Sequence, residues 1–541
     1  MAKKKPVIKK KASQPGVEYK HSGKALSGKS TSKPVSFDPT APLSSAPVVG
    51  ADPSSARSRP SKSRYPISTE EFEKLQNLAA SAKVATVTKE SGVADKPVKH
   101  SSARSAAPSA AAPVAAAPVL GANFDGIGNT GWSPPDCTLA VGPSHVLASI
   151  NSSVAIYNKT GTVALAPRTL AAWWSSVITN AKIFDPKALF DQHSQRWILI
   201  AAAMPNSAAQ ESYFLLSISK TSDPLGGWWH YKLNAKVDGS TDTQNWADYP
   251  GLGVDASAIY LTANMFQFGG GFAYAKVRIL KKAPLLAGLA ATWVDFVKLK
   301  NPDNTLAFTV APCHTFGAPQ VQYFVNTLFA GSANKVTVWT LNNPITSPAL
   351  TKQSVTTTTY GQPPLANQKG GGTALNSGDV RVQNAVFRGG SVWCNFATVA
   401  NWNEPGVNRA AIFWLQLNPS TGTVVQQGVY GGSGQHYFYP ASAIDTNGGM
   451  GMVFCRTGAT EFASIRYTGR KASEPLGSLQ PSALLMAGKS NMLHMDGAGR
   501  NRWGDYSGAG IDPAAPTTFW MYSMYAELNN NFGSRIGSAT I

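Results

Sequence analysis

A short unit recurs through most of the chain, and this recurrence limits the possible folds more than any other feature. Each unit joins a strand of small residues to a strand rich in aromatic residues through a turn at Asp or Gly. Clear copies lie at 185–199, 248–261, 439–454 and 505–522. A repeat of this kind indicates similar small units, each of which packs against its neighbours.

Weaker copies fill the gaps, so that units begin near residues 136, 185, 248, 318, 381, 439 and 505. Each interval is long enough for a four-stranded sheet with its loops. A single small sheet leaves both faces uncovered, whereas a closed ring of sheets covers them and leaves only short edges. We therefore predict an all-β fold, a single β-propeller of seven four-stranded blades, with six blades as the alternative. The segment 532–541 is predicted to be the strand that closes the ring.

The N-terminal part differs in composition from the rest. Residues 1–118 contain 20 Lys and Arg against 8 Asp and Glu, so they carry +12 of the net charge of +19. A segment with so few apolar residues does not bury enough surface to offset the entropy of ordering. We predict a disordered basic tail over 1–103, an Ala/Pro-rich linker over 104–119 and the propeller over 120–541.

One helix is predicted inside the tail, at 69–84. Ser68 and Glu71 have the spacing of a capping box, and apolar residues follow at helical intervals. No stretch of the chain reaches the roughly 20 apolar residues of a transmembrane span. No apolar run of about 7–15 residues follows the basic N-terminus, so a standard secretory signal is not expected.

The four cysteines stand beside apolar runs and form no CxxC pair, so we interpret them as buried apolar residues. Cys394 and Cys455 occupy similar positions in consecutive repeats, which leaves a disulfide between them as an alternative. The histidines are scattered singly, without an HExxH motif. Neither a metal site nor a cofactor is predicted.

Several motifs resemble those of a bacterial family of sialidase-like β-propeller proteins, most of which are uncharacterised. The most distinctive is Arg-Trp-Gly-Asp-Tyr-Ser at 502–507, followed by Ile-Asp-Pro at 511–513; further matches lie at 134–136, 141–145, 151–161, 185–197 and 248–250. The resemblance covers about 121–541 and implies a propeller fold and, because family members are exported, an extracellular location. The Ser-x-Asp-x-Gly-x-x-Trp boxes of true sialidases are absent, so sialidase activity is not implied.

The residues at the start of each first strand are predicted to converge around the mouth of a central channel. A carboxylate at such a position accepts hydrogen bonds from backbone N–H groups, contributes to sugar binding, or acts as a glycosidase acid or base. Its recurrence in several repeats favours the first role, because a catalytic site is asymmetric. The candidate ligand-binding residues are Arg502, Trp503, Asp505, Tyr506, Asp248, Tyr249, Arg381, Tyr439, Asp136 and Asp185.

The leading functional hypothesis is a non-catalytic binding or scaffold propeller with a carbohydrate or protein ligand at the channel mouth. A glycan-active hydrolase of sialidase-like type is the first alternative. The second is a display protein anchored to a polyanionic surface through the tail lysines from Lys3 to Lys11. The sequence assigns no catalytic residue and does not indicate an oligomeric state.

Overall fold

The structure, a computed structural model, describes residues 20–21, 23–41, 64–82, 84, 87, 116–206 and 209–541. The predicted polyanion-binding stretch from Lys3 to Lys11 lies outside the described residues. The elements that precede the repeats are β1 (Lys20–His21), β2 (Leu26–Lys29), β3 (Val35–Phe37), α1 (Thr69–Ser81) and β4 (Val119–Asp125).

The repeats form consecutive antiparallel groups, numbered here in chain order. Group 1 contains β5 (Thr138–Val141), β6 (His145–Ile150), β7 (Ser153–Asn158) and β8 (Val163–Thr169), and α2 (Leu170–Trp173) follows it. Group 2 contains β9 (Ala181–Asp191), β10 (Arg196–Pro205), β11 (Tyr213–Ser219) and β12 (Trp228–Asn234). Group 3 contains β13 (Asn245–Val254), β14 (Ala258–Gln267), β15 (Phe272–Lys281) and β16 (Thr292–Phe296), with α3 (Lys282–Leu286) before β16.

The remaining groups repeat the arrangement. Group 4 contains β17 (Ala311–Thr315), β18 (Val321–Thr327), β19 (Ser332–Asn342) and β20 (Ala349–Gly361). Group 5 contains β21 (Asn384–Arg388), β22 (Ser391–Asn401), β23 (Asn408–Asn418) and β24 (Thr423–Tyr430). Group 6 contains β25 (Gln435–Ile444), β26 (Met450–Gly458), β27 (Glu461–Arg470) and β28 (Ala483–Met486). Group 7 contains β29 (Gly508–Ile511), β30 (Thr518–Ala526) and β31 (Phe532–Thr540), and β4 is its fourth strand.

The groups pack face to face in a ring. Apolar clusters lie between successive groups, and one of them joins the last group to the first, where Trp520 and Tyr522 of β30 pack with Val146 and Ala148 of β6. Aromatic side chains of the second strands fill these spaces, as the repeat pattern predicts. The predicted all-β propeller fold is confirmed.

The ring closes differently from the prediction. The segment 532–541 provides β31, the third strand of group 7, and β4 pairs outside it with Ile536 opposite Phe124. Without β4, the outer edge of β31 would have unpaired backbone N–H and C=O groups. β4 provides hydrogen-bond partners for them. Both ends of the domain therefore share one sheet, and its first strand begins at Val119 within the predicted linker.

Parts of the segment predicted to be a disordered tail are ordered. β2 pairs with β16, β3 pairs with β12, and β1 pairs with β20, so each adds an outer strand to a propeller group. Edge pairing depends on backbone hydrogen bonds and not on apolar side chains, so a criterion based on composition misses it. α1 ends at Ser81, three residues before the predicted end, because Ala82 is extended; the Ser68 hydroxyl accepts from the Glu71 N–H at 3.1 Å.

Two further differences concern group 4 and the cysteines. The sequence predicts that the first strand of the fourth repeat lies at 318–322. In the structure this first strand is β17, and 321–327 forms the second strand, β18. The alternative disulfide between Cys394 and Cys455 is absent, since all four cysteines are free and buried. Cys394 lies in the cluster between groups 4 and 5, whereas Cys455 packs in the cluster that closes the ring.

Candidate ligand-binding site in the central channel

The first strand of each group lines the channel. In several groups a residue in the left-handed backbone conformation either precedes this strand or lies within its first half. The φ angles lie between 49 and 53° at Asp136, Asp185, Tyr249, Thr309 and Tyr439. This conformation is uncommon outside glycine, and more so for Tyr or Thr than for Asp. We call the side of the ring where these strands begin the start face, and the opposite side the turn face.

At three of these positions the strained residue is followed by proline. Asp185-Pro186, Tyr249-Pro250 and Tyr439-Pro440 each form a bulge in which two residues oppose one residue of the second strand. Proline has no N–H to contribute to the ladder, so it suits the unpaired position of a bulge. The bulges redirect the backbone at the start face, and Tyr249 and Tyr439 line a cavity there.

A chain of hydrogen bonds connects each group to the next around the start face, and each of these bonds joins a side chain of one group to the backbone of its neighbour. The seven links are Asp505 N–H to Asp136 Oδ1 (2.6 Å), Asp185 N–H to Asn151 Oδ1 (2.7 Å), Tyr249 N–H to Asp185 Oδ2 (3.2 Å), Thr309 N–H to Asn264 Oδ1 (2.7 Å), Thr327 Oγ1 to Val380 O (2.7 Å), Ser442 N–H to Asn384 Oδ1 (3.1 Å) and Ser507 Oγ to Tyr439 O (2.9 Å).

Asp136 and Asp185 thus accept hydrogen bonds from the backbone of a neighbouring group. Asp136 is fully buried and also accepts from Asn151 Nδ2 at 2.6 Å. Burial raises the pKa of its carboxyl well above the usual range, and the charges of Asp505 and Asp185 add to the effect. These contacts match the structural role that the sequence favoured for recurring aspartates.

Replacement of Asp136 tests this role. Asp136→Ala removes two acceptor oxygens, so the Asp505 N–H and the Asn151 side-chain amide each lose a hydrogen-bond partner. This loss should lower the free energy of unfolding by about 2–4 kcal/mol. Asp136→Asn retains one acceptor oxygen and should lose less. Urea denaturation measures both, with Asp125→Ala as the control because the Asp125 side chain is 78% exposed in its ion pair with Arg535. A loss for Asp136→Ala no larger than that of the control would contradict the structural role.

The remaining polar candidates interlock at the start face. Arg381 binds Asp379 through Nε and Nη2, and its guanidinium lies 4.4 Å from the centre of the Tyr249 ring. Arg502 Nη2 donates to Asp505 Oδ1 at 2.6 Å. The cavity that these side chains share with Asp248 and Tyr439 has a volume of only about 20 Å³.

An N-terminal segment covers this cavity. We call residues 64–82 the strap; its Arg64 and Tyr65 line the cavity, and the Tyr65 hydroxyl accepts from Arg500 Nη1 at 2.6 Å. Phe72 of α1 is fully buried and stacks on Tyr65 with ring centres 3.7 Å apart. The start face is therefore closed both by its own side chains and by the strap.

Trp503 and Tyr506 lie apart from this cavity. Trp503 is fully buried in the apolar core and donates Nε1–H to Cys455 Sγ at 3.2 Å. The Tyr506 hydroxyl donates to the Pro186 carbonyl at 2.8 Å, and burial raises the pKa of the phenol well above its usual value. Its ring lies against that of Tyr249, which borders both the start-face cavity and the channel below.

The channel below is the larger space. Its volume is about 420 Å³, and its walls are the first strands, with small residues such as Ala188, Gly251 and Gly508. Exposed residues border it only toward the turn face, among them Gln195 and Thr446. It is a pocket that is closed at the start face and open at the turn face.

Lys187 lies at the closed end of this pocket, on the wall formed by β9. Its Nζ is 2.9 Å from the centre of the Tyr506 ring and 5.2 Å from that of Tyr249. Burial lowers the pKa of its amine to about 7, although Asp136, Asp185 and Asp505 oppose the shift. Lys187 is not among the residues that the sequence predicted to bind a ligand.

Comparison of the repeats with one another indicates that Lys187 is unusual. The residue after the bulge proline is Gly251 in group 3 and Ala441 in group 6, whereas group 2 has a lysine there. A charged side chain at a position otherwise reserved for small residues indicates a special role. The strap residues Arg64 and Tyr65 had no comparable signal, because their partners lie far away in sequence.

Within the described ranges, no group of three His, Cys, Asp or Glu is arranged to hold a metal ion. No helix in the described part of the chain has the length and apolarity needed to cross a membrane. The channel, with a volume of about 420 Å³, is the candidate site that the geometry favours.

No family model matches the chain, and no curated protein does. Among similar solved structures is the α-L-arabinofuranosidase Arb93A from Fusarium graminearum with an iminosugar inhibitor, at 9% identity and a TM-score of 0.35, covering 65% of this chain and 92% of that one. Trypanosoma rangeli sialidase with sialic acid is 10% identical at a TM-score of 0.34, covering 72% and 57%. The WD40 domain of SCAP from fission yeast is 11% identical at 0.31, covering 74% and 84%.

At such identities and TM-scores no activity, substrate or site residue transfers to this chain. The architecture itself follows from the strand pairing and from the ring of apolar clusters.

Proposed function

We propose that the protein is a non-catalytic, ligand-binding β-propeller that holds a small organic molecule in its central channel. The observation that carries the proposal is the channel itself, a pocket of about 420 Å³ that opens toward the turn face. Pockets for small ligands typically have volumes of about 300–1,000 Å³. The ligand enters between the first strands and reaches the closed end near Tyr249 and Tyr506.

The start face supports a non-catalytic role. Asp136 and Asp185 accept backbone hydrogen bonds, and Asp505 pairs with Arg502. A glycosidase needs two carboxylates on either side of a bound sugar, with room for the ring between them. A space of about 20 Å³ holds roughly one water molecule and not a sugar ring. A hydrolase mechanism at this face would lack room for its substrate.

The proposal is tested by saturation-transfer NMR on the full chain. The probes are benzyl alcohol, cyclohexanol and methyl glucoside, which are small, neutral and either apolar or sugar-like. Ala188→Leu narrows the channel, because Ala188 is half-buried on its wall. The matched control is Ala171→Leu, at an exposed position of α2.

We expect at least one probe to bind the wild-type chain and the control, and to lose binding in Ala188→Leu. Thermal unfolding of each variant establishes that the fold is intact. Binding that survives in a folded Ala188→Leu variant would place the ligand outside the channel. Failure of all three probes to bind the wild-type chain would also count against the proposal.

A further inference from the structure

The closed end of the channel has a chemical feature that its walls lack, namely the primary amine of Lys187. Among the described residues, this amine has no hydrogen-bond acceptor and no ion-pair partner; its contacts are the faces of Tyr506 and Tyr249. A lysine in a protein interior normally pairs with a carboxylate or a carbonyl oxygen. An amine that instead faces a ligand-sized cavity has its bonding capacity available to a ligand.

We infer that Lys187 binds an aldehyde or ketone ligand covalently and reversibly, as an imine at the closed end of the channel. This inference rests on the proposed function, because the carbonyl compound reaches Lys187 only through the channel. The amine nitrogen attacks the carbonyl carbon, and the resulting carbinolamine loses water to give the C=N bond. One carbonyl compound is consumed and one water is released, so no oxidant, reductant or further reactant is needed.

The charges around Lys187 favour a neutral carbonyl ligand over an anion. The carboxylates of Asp185 and Asp505 act on the amine from the start face, and Arg381 is the opposing cation. Asp136 contributes less negative charge, because burial raises the pKa of its carboxyl. Such a field repels an anionic ligand and stabilises the positive charge of a protonated imine. The Tyr506 ring face next to Nζ adds a cation–π contribution.

The protonation state of Lys187 supports the same chemistry. Because burial lowers its pKa to about 7, roughly half of the amines are unprotonated at neutral pH. A lysine with an ordinary pKa is unprotonated in roughly one molecule in two thousand at that pH. Only the unprotonated amine attacks a carbonyl carbon, so Lys187 should react faster than typical surface lysines.

The test uses benzaldehyde and sodium cyanoborohydride at pH 7 on the full chain, followed by peptide mapping by mass spectrometry. The reductant converts an imine to a stable secondary amine and so records where it formed. We expect label at Lys187 on the order of 10-fold faster than at the exposed Lys281. Labelling of Lys187 at or below the rate of Lys281 would overturn the inference.

Three variants sharpen the test. Lys187→Met should abolish the fast label, whereas Lys281→Met should leave it unchanged. Ala188→Leu keeps Lys187 but narrows the channel, so it should slow labelling of Lys187 without affecting that of surface lysines. Fast labelling of Lys187 that persists in a folded Ala188→Leu variant would contradict access through the channel.

Benzyl alcohol separates this inference from the proposed function, since it has the shape of benzaldehyde but no carbonyl carbon. If benzyl alcohol binds in the channel and Lys187 is not labelled, the channel proposal stands and the imine is rejected. If neither compound interacts with the wild-type chain, both are rejected. Labelling of Lys187 together with channel binding supports both.

Discussion

Replacement of Arg278 by Met should lower the free energy of unfolding by about 3–5 kcal/mol, the largest effect that we expect from a single substitution. Arg278 and Asp295 both have fully buried side chains, and they form two hydrogen bonds of 2.8 Å. The guanidinium also donates to the carbonyls of Asn234 and Val237. Met fills similar space but leaves the Asp295 carboxylate buried without its counter-charge.

Urea denaturation of the full chain measures this loss. The control is Lys489→Met, which breaks an ion pair with Glu527 whose side chains are 41% and 26% exposed, and which should cost about 0–1 kcal/mol. The double variant Arg278→Met, Asp295→Asn removes the isolated charge and should recover part of the stability. Equal losses for Arg278→Met and Lys489→Met would show that burial of this pair is unimportant.

The second large effect is a loss of stability in acid. Burial lowers the pKa of His230, His314 and His436 to about 3 each. In the unfolded chain these rings take up protons at their ordinary pKa near 6.5, so below that pH the unfolded state binds more protons than the folded state. The contribution of these three histidines to the free energy of unfolding is therefore fully present above about pH 6.5, and it is lost as the pH drops toward 3.

Between pH 7 and pH 5 each histidine should contribute a loss of about 2 kcal/mol. His230→Phe isolates one of the three, because His230 is fully buried and stacks on Phe37, a contact that a Phe ring preserves. We expect the variant to lose about 2 kcal/mol less than the wild-type chain between these pH values, measured by urea denaturation. An identical pH dependence in both proteins would contradict a neutral His230 in the folded state.

The sequence predicted the propeller because alternating small and aromatic strands are a local signal that each repeat carries independently. The same signal placed Asp136, Asp185 and Tyr249 around the channel, although Asp185 and Tyr249 lie inside β9 and β13 and not at their first residues. It failed at the fourth repeat, where Thr309 and Pro312 interrupt the pattern and shifted the expected strand toward 318–322.

What the sequence did not predict depends on contacts between distant segments. β2 and β3 are short strands that pair with the edges of β16 and β12, and Phe37 of β3 also stacks on His230. The strap over the start face depends on Tyr65 meeting Arg500. The small volume of the start-face cavity also follows from these contacts, so sequence reasoning placed the ligand at the channel mouth, whereas the geometry favours the channel interior.

The outer strands at the N-terminal end also determine how the protein responds to tension. β2, β3 and β4 lie in this order along the chain, and each pairs with a different sheet of the ring. A pull on the N-terminus loads these attachments one after another, and the strap, which lies between β3 and β4 in the chain, is loaded before β4. Only detachment of β4 from β31 separates the two ends of the domain. Detachment of the earlier strands therefore leaves the closed ring intact.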